Sequence, residues 1–275
     1  MSSDKLQDKV IGIIGGTTGI GLSAAHALIA NGARVVTLGR NPDSVAAAQE
    51  ELGAKAFVFS ADASHPQTAT RAIEEALRRF GGFHGLYHVA GGSGRKMGDG
   101  PLHEITDAGW EFTLNLNLTS LFYSNRAAAR HFLSQQTGGS ILNLGSVLGF
   151  SPSPCYFSTH AYAATKGAVI GLTKASASYY ASKSIRFNVL APALVETPMA
   201  QRAVSDETIR EFIATKQPLD GGRVGQPTYL DAAAVYFLSD DSKFVTGQVL
   251  AVDGGWCVSE GQVPGGTKPH QDDRH

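Results

Sequence analysis

The stretch that most constrains this chain is "KVIGIIGGTTGIGLSAAHALIANG", an apolar run that breaks at clustered glycines and resumes as a helix closed by Gly32. Its first part, "KVIGIIGG", has the continuous apolar character of a strand buried on both faces. The same alternation continues along the chain. "ARVVTLGR", "KAFVFSAD", "FHGLYHVAGG", "GSILNLGS", "SIRFNVLAP" and "GQVLAVDGG" read as further strands. Between them, "PDSVAAAQEELG", "PQTATRAIEEALRRFGG", "DAGWEFTLNLNLTSLFYSNRAAARHFLSQ", the stretch from "HAYAATKGAV" to about Lys183, and "PTYLDAAAVYFLSD" read as helices. Buried strands alternating with helices specify a parallel sheet covered on both faces, a doubly wound α/β fold of Rossmann type. No linker or compositional break interrupts residues 1–260, so one domain is expected there. The stretch 261–275 ("GQVPGGTKPHQDDRH") reads as a polar, mobile tail.

Composition narrows the partners. With 275 residues, 43% of them hydrophobic, the chain can bury a sizeable core. Its formal net charge of -1 offers no attraction for nucleic acid or an anionic membrane. Cys155 and Cys257 lie far apart without metal-ligand spacing, so neither a disulfide framework nor a metal site is expected. The start, "MSSDKLQDKV", has no apolar signal region, and no apolar run reaches membrane-spanning length. The expected location is the cytoplasm.

The glycine cluster is Gly15, Gly16, Thr17, Thr18, Gly19, Ile20, Gly21. Placed at the first strand-to-helix switch, glycines allow a tight turn and let backbone amides approach a dinucleotide pyrophosphate at the positive end of a helix. About twenty residues on, an acid would select NAD by bonding its ribose hydroxyls. Here Gly39 occupies that place and Arg40 follows, which suits a 2′-phosphate and favours NADP over NAD. Asp62, followed by Ala63, is placed after the third strand to accept from an adenine amino group, or to cap the next helix.

Tyr162 and Lys166 in "HAYAATKGAV" share one helical face. Alone, that spacing would describe a surface pair lying over apolar neighbours. In order along the chain, however, stand "GGTTGIG", "AD" at 61–62, "HVAGG", "WEFTLNLN" with Asn117, "SILNLGS" with Ser146, "YAATK", "RFNVLAPALVETPM" and "FVTGQVLAVDGGW". Together these motifs resemble the short-chain dehydrogenase/reductase family from residue 8 to 256. The resemblance implies oxidoreduction of an alcohol or carbonyl with a nicotinamide cofactor, and a catalytic tetrad of Asn117, Ser146, Tyr162 and Lys166. It also implies cofactor contacts from the glycine turn, Ala90, Gly91, Pro192, Val195 and Thr197, and a homo-oligomer, dimer or tetramer. Three departures stand out: Ile14 before the glycine turn, His88-Val89 where the family has two asparagines, and Pro192-Ala193 for Pro-Gly.

Tyrosine needs help to act as an acid or base, because its free pKa is about 10. A lysine ammonium about 5 Å from its oxygen would favour the phenolate by about 3 kcal/mol, bringing the pKa down by about two. The resemblance adds that Lys166 holds the nicotinamide ribose, Ser146 polarises the substrate oxygen and Asn117 positions a relay water. Phe150, Cys155, Tyr156 and Phe157 either line an apolar pocket or pack their loop onto the core. "ETPMAQRAVSDETIREFIATKQPLDGG" reads as a mobile lid, and Arg95 and Lys96 as solvated side chains or a pair meeting an anion. Small residues Gly167, Gly171 and Ala175 permit close backbone approach. Among enzymes, a 3-oxoacyl-thioester reductase or an NAD-dependent alcohol dehydrogenase remain alternatives. A catalytically silent, NADP-sensing regulatory or scaffold protein is the alternative of another class.

Overall fold

The computed structural model describes residues 4–261. Residues 262–275, nearly all of the expected polar tail, lie outside the described residues. The apolar runs form β1 (Val10–Ile14), β2 (Arg34–Gly39), β3 (Ala56–Ser60), β4 (Gly85–His88), β5 (Gly139–Leu144), β6 (Ile185–Pro192) and β7 (Val249–Val252). They pair side by side, all parallel, in the order β3-β2-β1-β4-β5-β6-β7. Every residue of β1 is buried, as the continuous apolar reading requires.

The helices are α1 (Gly19–Ala30), α2 (Pro42–Leu52), α3 (Thr68–Phe80), α4 (Asp107–Leu114), α5 (Ser120–Gln135), α6 (His160–Tyr180), α7 (Gln201–Ser205), α8 (Glu207–Lys216) and α9 (Asp231–Leu238). Leu28 of α1, Leu52 of α2 and Phe237 of α9 fill one face of the sheet. Ile73 of α3, Phe132 of α5 and Ala177 of α6 fill the other. The strand order reverses between β1 and β4, the place where doubly wound folds receive a ligand at the carboxyl ends of their strands. Among the described residues, no helix is long and apolar enough to cross a membrane.

Two expected elements differ in detail. The helix read across residues 107–135 is interrupted by a π turn over Asn115–Thr119, between α4 and α5. The lid stretch holds two helices, α7 and α8. Ala203, Ile209 and Ile213 pack them onto Trp256, so this stretch has a small core of its own.

Candidate active site

The glycine turn is built for close approach. Gly15 has a φ of +92°, and a Cβ there would lie 2.7 Å from the backbone nitrogen of Ala90. A Cβ on Gly21 would lie 2.1 Å from the Gly15 carbonyl oxygen. The turn therefore lies flat against the segment that follows β4, and only glycine fits. Thr18 precedes α1 without capping it by its side chain, so the first-turn amides have no hydroxyl partner there. This uncapped helix end under a glycine turn fits a dinucleotide pyrophosphate.

Gly39 has a steric cause of its own. Its Cβ would fall 2.1 Å from Thr17 Oγ1, and Thr17 is buried. Any acid at that place would have to displace the threonine. Arg40, at the exposed end of β2, lies near Asp62. Burial raises the Asp62 pKa, but the hydrogen bonds from Ser64, helped by the Arg40 and His65 charges, outweigh it and hold the carboxyl below its usual value. Asp62 accepts from the Ser64 amide at 2.8 Å and the Ser64 hydroxyl at 2.7 Å. Arg40, Asp62 and Ala63 thus stand at the ends of β2 and β3, one step removed from the cavity that Tyr162 lines.

That cavity, about 430 Å³, opens at the carboxyl ends of β5 and β6. Its walls bring together Ile20 from the turn, Ser146 and Tyr162, and Pro192, Val195 and Thr197 after β6. Of the four residues expected from the 147–160 loop, only Phe157 lines it. Phe150 is exposed, Cys155 is exposed, and Tyr156 packs against Phe212 with ring centroids 5.0 Å apart.

Tyr162 stands in the first turn of α6 and Lys166 one turn later, buried, with Nζ 5.5 Å from the centre of the tyrosine ring. The ammonium donates to the Leu144 carbonyl at 2.9 Å, which ties α6 to the end of β5. Burial lowers the Lys166 pKa to about 8. Burial also pushes the Tyr162 phenol up to about 12, with its hydrogen bond to the Ser146 hydroxyl pulling the other way. The expectation that Lys166 brings this phenol below its free value is therefore not met in the protein alone. The reason is that desolvation disfavours a buried phenolate by more than its neighbours recover. Ser146 Oγ also accepts from the Leu148 amide at 3.2 Å.

Asn117 is fully buried in the π turn. Its Oδ1 accepts from the Gly92 amide at 2.9 Å, and its Nδ2 donates to the Gly92 and Thr113 carbonyls at 2.9 and 3.0 Å. The amide thus clamps the segment after β4. Gly91 lies within the clamp: a Cβ there would be 2.7 Å from Asn117 Oδ1 and 3.6 Å from Lys166 Nζ. His88 serves the same segment. Its Nε2 pairs with the Ala90 carbonyl at 3.1 Å and its Nδ1 with the Ser124 hydroxyl at 2.8 Å. Burial, then the Lys166 charge, hold its pKa down at about 3, against the Ala90 hydrogen bond, so it is neutral. The histidine that departs from the family pattern supplies the strand-end support itself.

Sequence reading missed Asp99. Its buried carboxylate accepts from the Ala161 and Tyr162 amides, each at 3.0 Å, capping α6 from a distant loop. Thr159, which precedes the helix, makes no side-chain cap. The partners are 62 and 63 residues apart, so no local motif could announce them.

Comparison with known proteins points to a family. A family model described as enoyl-(acyl carrier protein) reductase matches residues 15–257. The chain is 35% identical over 260 residues to 2-(S)-hydroxypropyl-CoM dehydrogenase 3 of Xanthobacter autotrophicus, covering 92% of this chain and 98% of that one. It is 35% identical over 250 residues to gluconate 5-dehydrogenase of Gluconobacter oxydans, covering 90% and 94%. A solved structure of a short-chain type dehydrogenase/reductase from Mycobacterium ulcerans superposes with a TM-score of 0.85 at 31% identity, covering 92% of this chain and 91% of that one. The motifs, the sheet and these relatives together establish that the chain belongs to the short-chain dehydrogenase/reductase family, oxidoreductases that act on CH–OH groups with a nicotinamide cofactor.

Proposed function

We propose that the chain, through residues 1–260 as one unit, is an NADP(H)-dependent dehydrogenase/reductase interconverting a secondary alcohol and its ketone. The observation that carries this reading is the convergence of Tyr162 and Ser146 on the cavity that Ile20, Pro192 and Thr197 also line. NADP(H), when bound, supplies or accepts the hydride. The glycine turn and the start of α1 hold its pyrophosphate, and Arg40 pairs with its 2′-phosphate.

The protein's part is to orient the substrate oxygen and to move one proton. Ser146 donates a hydrogen bond to that oxygen, whose negative charge grows as a ketone is reduced. Tyr162 then gives its proton to the oxygen, a far stronger base than a phenolate. Lys166, charged in most molecules at neutral pH, steadies the phenolate left behind. Asn117 enters through the π turn it anchors, which we assign to a water relay toward Lys166. A homo-oligomer belongs to the same proposal. It is supported by Gly171, whose Cβ position no other part of the chain approaches within 4 Å, and by the exposed Trp110 and Phe122.

The test is NADPH oxidation across a panel of ketones, with dissociation constants for NADPH and NADH in wild type and Arg40→Ala. Tighter NADPH binding that Arg40→Ala selectively weakens is expected. Tyr162→Phe keeps the ring, so it should bind NADPH normally and lose a factor of about 10² to 10⁴ in single-turnover rate. A Tyr162→Phe protein with near wild-type turnover, chemistry being rate-limiting, would remove the tyrosine from the mechanism. NADPH binding without turnover of any panel member would favour the sensing or scaffold reading.

A further inference from the structure

We propose, resting on the dehydrogenase reading above, that the substrate carries a carboxylate, received in the cavity by Arg95, Lys96 and Arg202. All three side chains line the same cavity as Tyr162 and Ser146, and no aspartate or glutamate lines it with them. Arg95 and Lys96 come from the helical turn after β4, and Arg202 comes from α7 in the lid. Among the described residues, none of the three forms an ion pair within 4 Å. The nearby carboxylate, Asp99, already has one oxygen on the Ala161 amide and the other on the Tyr162 amide. Arg202 makes one long donation, 3.4 Å, to the Tyr156 carbonyl.

The charges also act on one another. Arg95, Lys96 and Arg202 are exposed at the cavity rim; partial desolvation there lowers the Arg95 pKa, the Arg202 charge lowers it further, and Asp99 opposes them. Like charges gathered around a cavity without an acid favour an anionic occupant, and a guanidinium matches a carboxylate by paired hydrogen bonds. A neutral alcohol of the same shape would leave that repulsion in place. Because the cations come from two separate segments, an anion between them would also draw the lid toward the loop after β4.

The experiment uses dead-end complexes, in which a ketone and NADP⁺ bind together without reacting. Dissociation constants are measured by calorimetry for two matched pairs: 4-oxopentanoate with 4-oxopentanamide, and 4-oxocyclohexanecarboxylate with its amide. In at least one pair the carboxylate should bind about tenfold more tightly, the effect of a charge-assisted hydrogen bond on a partly exposed site. Raising salt from about 0.05 to about 0.5 M should erode that advantage and leave the amide unaffected. In the Arg95→Gln/Arg202→Gln double variant the ratio should fall close to one, with NADP⁺ affinity preserved.

No carboxylate advantage in either wild-type pair would overturn the proposal, and so would an advantage that survives in the variant. Loss of NADP⁺ affinity with the ratio unchanged would assign these cations to the cofactor, and that too overturns it. Should the double variant fail to fold, the wild-type ratio and its salt dependence decide. Binding is read independently of turnover. Carboxylate preference without turnover would keep the anion site and refute the dehydrogenase reading, whereas turnover of neutral ketones without preference would do the reverse.

Discussion

At the scale of single residues, Lys166 holds a position that costs stability. Its pKa falls from 10.5 to about 8 on burial, which corresponds to about 3 kcal/mol against the charged form. The sign follows from proton binding. Between these two values the unfolded chain binds more protons, so folding is penalised fully below pH 8 and the penalty fades as pH rises toward 10.5. Lys166→Met removes the penalty but leaves the Leu144 carbonyl without its donor, which offsets about 1 kcal/mol. The variant should therefore be about 1–2 kcal/mol more stable than wild type at pH 7, with the gap narrowing between pH 8 and 10.5. Reversible urea unfolding across that range checks it, and a pH-independent gap would contradict the burial argument. Turnover and NADPH affinity should fall together in the same variant.

At the scale of elements, two contacts between segments set what the site can become. The first is the end of β2 against the glycine turn. Gly39→Asp, the obvious route to NADH, should weaken NADPH binding and stability without gaining NADH affinity, because the new Cβ meets Thr17. Combined with Thr17→Ala, the acid gains room and NADH affinity should rise. Coenzyme dissociation constants and melting temperatures for the single and double variants check this. The second contact is the Asp99 cap on α6. Asp99→Ala leaves the Ala161 and Tyr162 amides without an acceptor, which should cost about 1–3 kcal/mol. As Tyr162 rides on that first turn, kcat should fall while the dissociation constant of NADPH, held mainly by residues outside that turn, changes little. An unchanged kcat in the folded variant would reduce Asp99 to a purely structural cap.

At the scale of the whole molecule, the proposed cofactor cradle draws on three distant parts of the sheet: the turn after β1, the segment after β4 and the end of β6. A ligand bridging them should stabilise the fold as a unit. NADPH at about 100 times its dissociation constant adds about 2.7 kcal/mol, or about 5–10 °C in melting temperature for a chain of this size. NADH at the same concentration should shift it less, and equal shifts would argue against the Arg40 assignment. The sequence determined the sheet, its parallel sense and the helices on both faces, because apolar continuity and glycine punctuation are local properties of the chain. It also brought the glycine turn and the Tyr162–Lys166 pair into view by their local spacing, and Ser146 through the resemblance of its motif to the family's. What only the tertiary structure decided depends on long-range contact. The Asp99 cap joins segments 62 residues apart, and Thr17 leaves no room for a side chain at position 39. The gathering of Arg95, Lys96 and Arg202 around one cavity is likewise a fact of the packed molecule. So is the upward shift of the Tyr162 phenol, because desolvation is set by everything that surrounds a group and not by its neighbours in sequence.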